Sequence, residues 1–547
     1  MLTKQKVELM ERKFLFTLLT LDARRDVIPQ KKRDPNSLFC MSLINCTPTG
    51  EIRSIVGECR KGFNQGIVHT VEQRKTAIRE VIRLIDENEE ALVQAVTKDL
   101  RRASFETKFM ELDFVRNEAY GALDNMVSWI KATKAEKDGI MVLEDCVIEH
   151  DPLGTVLIIG AWNYPIQLTL VALVGALAGG NTVVIKPSEV SANTAQLISE
   201  LIPKYLAAQI CGVVNGGISE TTTLLEERFD HILYTGNSSV AKIVMTAAAK
   251  HLTPVTLELG GKSPTVVDDT CDLKIAAQRI MWGRFVNAGQ TCIAPDYILA
   301  KSNIKSALIQ QLGIAAGKFL GPNPKDCPDY GRIVNDMHYK RVQALMSGGK
   351  IVYGGECDAA TKFIAPTILD DVKLDSPLMT DEIFGPLLPV IPFETVNDVI
   401  QFINQREKPL AFYIFSTDAK FYDAVINRTS SGAVVVNDTL MHAGVESLPF
   451  GGVGYSGMGS YHGKHTFEMF THKKSVMRRK LVLESANKLR YPPYSEKHYN
   501  ILNNLMIRYR EARWFNIPGM GWFRSKKASS TTLRSTETSG QVTDEKK

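Results

Sequence analysis

The stretch Gly154-Thr-Val-Leu-Ile-Ile-Gly-Ala-Trp-Asn-Tyr-Pro-Ile-Gln-Leu-Thr-Leu-Val-Ala-Leu-Val-Gly-Ala-Leu-Ala-Gly-Gly-Asn-Thr-Val-Val-Ile-Lys186 decides the fold. Residues 152–185 carry no charged side chain, and a hydropathy window alone reads such a run as a membrane span. Its punctuation argues otherwise. Gly160, Asn163, Pro165 and Gly179-Gly180-Asn181 divide it into strand, turn, helix, turn and strand. Strands buried on both faces of a parallel sheet read as unbroken apolar runs.

The same alternation continues downstream. Val156–Ile159 and Thr182–Lys186 are strands around a helix at Thr169–Ala178. A helix at Thr194–Leu206 leads to a strand at Ile210–Val214. A short helix at Glu220–Arg228, a strand at His231–Tyr234, a helix at Ser239–Lys250 and a fifth strand at Val255–Glu258 follow. This predicts a doubly wound, mostly parallel sheet of the Rossmann type, which binds ligands at the carboxyl ends of its strands.

Upstream, Glu72–Lys98 and Phe105–Lys131 repeat apolar residues at three- and four-residue steps, as two covering amphipathic helices do. A strand-like segment, Ile140–Ile148, comes next. Downstream, a second α/β block runs from 265 to 430, with a further strand at Gly432–Asn437 and a glycine-rich loop at Pro449–Gly459.

The 547 residues suffice for two or three domains. The net charge of +5 is too mild to argue for a nucleic-acid partner. Nine scattered cysteines, an odd number without a CxxC pair, argue against a disulfide framework or a zinc site. They suit a reducing compartment, and cytoplasmic localisation is expected. The apolar run Phe14–Leu21 is too short to span a bilayer. Residues 1–50 are expected to be a poorly ordered extension, and the Ser-, Thr- and Lys-rich end beyond about 524 to be disordered. Residues 499–524 combine aromatics with Arg508, Arg510 and Arg513. They suit either a membrane interface, such as the endoplasmic reticulum surface, or packing on the protein.

Chemistry concentrates at the strand ends. Cys292 closes Phe285-Val-Asn-Ala-Gly-Gln-Thr-Cys292, and Glu258 opens Glu258-Leu-Gly-Gly261. A thiol and a carboxylate are the two groups required to oxidise an aldehyde through a thioester, one as nucleophile and one to activate water. Asn163, after the first strand, has the amide that an oxyanion needs, or it simply holds a turn. Lys186-Pro-Ser-Glu189 lies where a dinucleotide's adenosine ribose sits, or forms a helix start. Glu189 there repels a 2′-phosphate and favours NAD, while Lys186 offsets the repulsion enough to allow NADP. Gly236-Asn-Ser-Ser-Val-Ala241 opens a helix whose N–H groups suit a pyrophosphate or an ordinary cap. Glu382-Ile-Phe-Gly-Pro386 offers a carboxylate for the nicotinamide ribose with Phe384 beside the ring, or a strand-turn signal.

Taken in order, these segments resemble the aldehyde dehydrogenase superfamily. Thr253–Pro264, Gly289–Tyr297 and Pro449–Gly454 are similar to class 3, the fatty aldehyde dehydrogenase group above all. The resemblance spans residues 53–492.

It implies an aldehyde dehydrogenase-like fold with a Rossmann-type cofactor domain (51–138 and 151–264), an α/β catalytic domain (265–430) and a small β bridging domain (139–150 and 431–480) that makes a homodimer. Residues 481–547 are then a tail. The resemblance assigns Cys292 as nucleophile, Glu258 as base, and Asn163 with the Cys292 backbone as oxyanion hole. Trp162, Lys186, Glu189, Gly236, Asn237, Ser238, Ser239, Val240, Ala241, Glu382 and Phe384 fall to the cofactor, and no metal is implied. The expected substrates are medium- or long-chain aliphatic aldehydes, with aromatic ones as an extension. Two departures stand out. Ala241 replaces the family's usual Gly, and the hydrophobic anchor of membrane-bound members is not found. Acylating relatives that use coenzyme A do not need a water-activating carboxylate, so Glu258 argues against that alternative.

Overall fold

Five apolar segments of the region 154–258 form parallel strands: β1 (Thr155–Ile159), β2 (Thr182–Lys186), β3 (Cys211–Val213), β4 (His231–Thr235) and β5 (Val255–Glu258). The computed structural model describes residues 44–137, 144–482 and 484–506. Of the expected poorly ordered extension 1–50, residues 1–43 lie outside these, whereas Thr49 and Gly50 already open a helix. The end beyond 524, the part of the 499–524 membrane segment after 506, and positions 140–143 of the strand-like segment also lie outside.

Every residue of β1 and β2 is buried, which is why neither shows polar alternation. The parallel register sets Ile159 opposite Lys186 and Thr235 opposite Glu258. Lys186, Glu258 and the turn holding Asn163 therefore share the carboxyl edge of one sheet.

A second sheet contains β6 (Pro264–Val267), β7 (Tyr297–Lys301), β8 (Lys350–Tyr353), β9 (Thr367–Asp370), β10 (Leu387–Phe393), β11 (Ala411–Phe415) and β12 (Ala433–Val436). Its order is β8-β9-β10-β7-β6-β11-β12. Only the β8–β9 pair is antiparallel. The glycine-rich loop, read as irregular, contributes β13 (Gly457–Met458), which pairs antiparallel with β5 and completes the order β13-β5-β4-β1-β2-β3 in the first sheet. Gly457 sits opposite Glu258, and a β-carbon on it would lie 2.6 Å from the Leu257 carbonyl oxygen. The close approach of two backbones explains the glycine.

Helices α1 (Thr49–Asn64), α2 (Val71–Glu87), α3 (Glu89–Leu100) and α4 (Asp113–Ile130) cover the first sheet's strands and helices. The region 72–98 is two helices, divided at Asn88, whose φ of −126° is not helical. The second region contains a π-helical turn at Lys108–Leu112 before α4. α5 (Gln167–Gly179) is buried on all sides, so it is apolar all round, and Gly180 ends it at φ 84°. α6 (Ala192–Tyr205), α7 (Ile218–Glu226), α8 (Ser238–Ala249) and α9 (Leu273–Phe285) complete the crossovers and the approach to Cys292.

Two units divide the chain: residues 1–131 with 149–474, and residues 132–148 with 475–547. The first holds both large sheets. In the second, Thr133 pairs with Ile148 in antiparallel fashion, Arg479 bonds Glu144 at 2.9 Å, and Glu496–Met506 is helical. Among the described residues, no helix is long and apolar enough to cross a membrane, and no cluster of His, Cys, Asp or Glu could hold a metal ion.

Candidate active site

Asn163 and Cys292 come from turns 129 residues apart in the sequence. The Asn163 side-chain amide donates to the Gln290 carbonyl at 3.1 Å, two residues before the thiol. An amide nitrogen has two N–H groups, so a second donor remains for an oxygen beside Cys292. Asn163 is itself 4% exposed.

Left-handed backbone at Asn287 and Ala288, both with φ 53°, bends the chain after α9. A non-glycine residue in that region needs support from its surroundings. Asn287 donates to the Asn163 and Gln290 carbonyls at 2.9 and 3.0 Å. Arg102 donates to the Asn287 side-chain oxygen at 3.1 Å and also to the Asn163 carbonyl. Glu111 pairs with Arg102 and accepts from the N–H groups of Ile166 and Gln167 at 2.7 and 3.1 Å. One buried ion pair thus fastens the Asn163 turn, the Asn287 turn and the start of α5. The carboxylate lies at a helix N-terminus, where the backbone favours negative charge.

Gln290 extends the brace, donating to the Asn287 and Arg332 carbonyls and accepting from the Val334 N–H. Tyr164 bonds Thr291 at 2.8 Å, and Tyr413 donates to the Ile293 carbonyl. Both phenols feel the charge of Cys292, and Tyr461 feels Cys292 and Glu258 together.

Burial pushes the Cys292 thiol up to about 12, with the nearby Glu382 and Glu258 carboxylates adding to the shift. The backbone N–H groups of Cys292 and Ile293 counter it. Glu258 is 3% exposed, and neither of its carboxyl oxygens has a hydrogen-bond partner. Burial alone pushes its carboxyl well above the usual range. The structure therefore places a thiol and an unpaired carboxyl close enough to influence each other.

Glu382 lies against the turn that follows Glu258. A β-carbon on Gly260 would fall 2.0 Å from the Glu382 carboxylate, so that glycine gives the carboxylate room. Burial, then Asp296, raises Glu382 to about 8, while the Gly261 N–H, Lys262 and Arg341 oppose the shift. Its loop is held by Arg341, which donates to the Glu382 and Ile383 carbonyls at 3.1 and 2.6 Å. Asp296 joins Lys262 at 2.6 Å and Arg284 at 3.2 Å beneath it. Phe384, at φ 46°, meets Trp162 edge-on with ring centres 5.3 Å apart. His338 also packs on Trp162, with ring centres 5.0 Å apart.

The remaining candidates line the carboxyl edge of the first sheet. Lys186 is buried and bonds Glu189 at 2.5 Å. Gly236 donates its N–H to the Glu258 carbonyl at 2.9 Å, which couples the loop to the end of β5. Asn237 caps α8 by accepting from Val240 N–H at 2.9 Å, with Ser238 and Ser239 in the first turn. A β-carbon on Gly236 would meet the Tyr234 hydroxyl at 2.2 Å. Ala241 points inward, 2% exposed, into the cluster with Val244 and Leu257. The methyl group that departs from the resemblance is absorbed by packing behind the loop.

Sequence reasoning did not identify Arg102, Glu111, Asn287, Gln290, Arg284, Asp296, Arg341 or Tyr461. Arg102 and Glu111 occupy ordinary positions in charged, helical-looking sequence, and only the tertiary pairing distinguishes them. Asn287 and Gln290 did stand within the Cys292 motif.

A family model described as "Aldehyde dehydrogenase family" matches residues 35–476. "Aldehyde dehydrogenase family 3 member A2" of Mus musculus is 49% identical over 80% of this chain and 90% of its own. "Aldehyde dehydrogenase, dimeric NADP-preferring" of Canis lupus familiaris is 49% identical over 81% and 98%. The solved structure titled "Substrate bound state of Staphylococcus Aureus AldH" is 41% identical, superposes with a TM-score of 0.80, and is matched over 83% of this chain and 99% of that one. The chain belongs to the aldehyde dehydrogenase family, on its family 3 branch, and is an oxidoreductase that converts aldehydes into carboxylic acids.

Proposed function

We propose that Cys292 is the nucleophile, Glu258 the group that activates water, and Asn163 with the Cys292 N–H the oxyanion donors. The hydrogen bond from Asn163 to the Gln290 carbonyl carries this reading, because it sets an amide beside the thiol's own turn. The Cys292 sulfur adds to the aldehyde carbonyl, and the carbonyl oxygen gains negative charge against the two N–H donors. Nicotinamide bound here would accept the hydride that leaves the former aldehyde carbon as its carbonyl re-forms, giving a Cys292 thioester. Glu258, with both oxygens unpaired, takes a proton from the water that attacks the thioester, and the acid leaves as the thiol is restored.

The edge of the first sheet fits a dinucleotide: a helix N-terminus with a small, crowded Gly236 after β4, and the Lys186–Glu189 pair at the end of β2, on the other side of β1. In this reading Trp162, Glu382 and Phe384 line the nicotinamide end. NAD is the preferred cofactor and NADP is accepted, because Lys186 offsets the charge of Glu189. Long or medium aliphatic aldehydes are the proposed substrates, with aromatic ones accepted.

The cofactor (51–138, 151–264), catalytic (265–430) and bridging (139–150, 431–480) divisions are proposed on the same basis, and so is a homodimer. A relative named dimeric supports it, as does β12, a half-buried Ala-Val-Val-Val strand at the end of its sheet. The proposed location is cytoplasmic, with 499–524 at a membrane interface. Tyr494 and Tyr499, 80% and 61% exposed, precede and begin that segment.

Mass spectrometry of Glu258→Gln after one turnover tests the mechanism. The expected result is one equivalent of NADH and an acyl group retained on the Cys292 peptide. Full turnover in this variant overturns the role of Glu258, and turnover in Cys292→Ala overturns the nucleophile.

A further inference from the structure

The segment Ile44–Pro48 runs ahead of α1 and crosses the carboxyl edge of the first sheet. Thr47 grips the loop after β3 from two sides: its N–H donates to the Asn215 carbonyl at 2.9 Å, and its hydroxyl accepts from the Asn215 N–H at 3.0 Å. On the other side, the Asn45 N–H donates to the Gln196 side-chain oxygen at 2.9 Å. Ile44 is 4% exposed and packs on Ala192 and Ala195 at the start of α6. α6 follows directly on Lys186-Pro-Ser-Glu189. The strap therefore ties the loop after β2 to the loop after β3, the two loops between which the adenosine end of a dinucleotide lies in a doubly wound sheet.

Cys46 is the residue between the two attachments, and its side chain is exposed. Three charged groups act electrostatically on its thiol: Glu220 in the first turn of α7, and Lys186 and Glu189 at the end of β2. Burial and then Glu220 hold that thiol above the ordinary range. Glu220 is fixed in turn by accepting from the Gly217 N–H at 2.8 Å.

We propose that the strap Ile44–Pro48 is a working part of the dinucleotide site: it sets the spacing of the two loops, and position 46 faces the adenosine ribose and contributes to the choice between a free 2′-hydroxyl and a 2′-phosphate. The proposal rests on the reading of Lys186 and Glu189 as the adenosine end. Two carboxylates and one ammonium group act on position 46, so a charge placed there would join the same field on a 2′-phosphate.

The test uses the full chain. Initial rates of N-ethylmaleimide labelling are read at the Cys46 peptide by mass spectrometry, with and without NAD or ADP-ribose, while calorimetry reports NAD binding. At a ligand concentration of ten times Kd, labelling of Cys46 should slow about tenfold. Cys46→Lys should raise the ratio of kcat/KM for NADP over NAD about tenfold, and Cys46→Ser, which adds no charge, should leave that ratio at its wild-type value. A purely structural strap would lower thermal stability in such variants without moving that ratio. If calorimetry shows NAD bound, yet Cys46 labels at the same rate and the ratio stays put, the strap proposal is overturned. If NAD does not bind, the reading of Lys186 and Glu189 fails first, and this proposal with it.

Discussion

Arg102 and Asn163 are joined through the Asn163 carbonyl, so the guanidinium holds the backbone of the same residue whose side chain reaches towards the Cys292 turn. Arg102 is fully buried, as is its partner Glu111. Removing one member of a buried pair leaves the other charge without compensation, which costs about 3–5 kcal/mol. Arg102→Met is therefore expected to lower the free energy of unfolding by about that amount, read from urea titration. Its Asn163 turn loosens too, so kcat should fall while NAD affinity stays near the wild-type value. A variant as stable as the wild type would mean that Asn287 and Gln290 hold the two turns without the ion pair.

Asn163→Ala removes an amide that also bonds the Gln290 carbonyl. Loss of one oxyanion donor typically lowers kcat about 100- to 1000-fold. The loss should appear in kcat and kcat/KM together, with NAD binding unchanged by calorimetry, since the donor acts on charge that develops during reaction. A rise in KM with kcat intact would reassign Asn163 to substrate binding.

The elements read well from sequence were those whose burial leaves a compositional trace. β1 and β2 are apolar throughout because both faces are covered, and α5 between them lacks a polar face for the same reason. Asn88 escaped because apolar periodicity continues across it: Ile85 precedes it and Leu92 follows, and both are buried. β13 escaped because two residues among glycines carry no strand signal; its pairing depends on Leu257 and Glu258 being opposite. The candidates Cys292, Glu258 and Asn163 were legible because each stands in a recognisable segment. The Arg102–Glu111 pair was not, since its meaning depends on three turns that meet only in the folded chain.

The titration of the site sets the pH dependence. Cys292 is pushed up to about 12 by burial and then by Glu382 and Glu258. In the free enzyme, the rate of Cys292 alkylation by iodoacetamide should keep rising with pH towards that value. Glu382→Gln and Glu258→Gln should each move the profile to lower pH, Glu382→Gln by more. A plateau near neutrality would show that the thiol is already ionised.

Glu382 has a second consequence, for stability. Its carboxyl lies at about 8 in the folded protein against an ordinary 4.5. Between those values the folded chain keeps a proton that the unfolded chain has released. Unfolding free energy must then fall as pH rises from about 4.5 to about 8, with this contribution fully lost above the upper value. Glu382→Gln should flatten that part of the profile in denaturant titrations. An unchanged slope would assign the dependence to other groups, such as Glu118, which burial raises to about 7.

On the proposed reading, cofactor choice turns on Glu189. Its carboxylate accepts from Lys186 at 2.5 Å, so each group partly cancels the other's field. Glu189→Gln leaves the ammonium group of Lys186 uncompensated at the adenosine end. A 2′-phosphate should gain from this and a 2′-hydroxyl lose one acceptor, which moves the ratio of kcat/KM for NADP over NAD upward by about tenfold. The shift should persist at high salt, because the Lys186 ammonium group is buried and screened little. Lys186→Met should act in the opposite direction, weakening NADP more than NAD. If both variants change the two cofactors equally, the pair braces the start of α6 and takes no part in the choice.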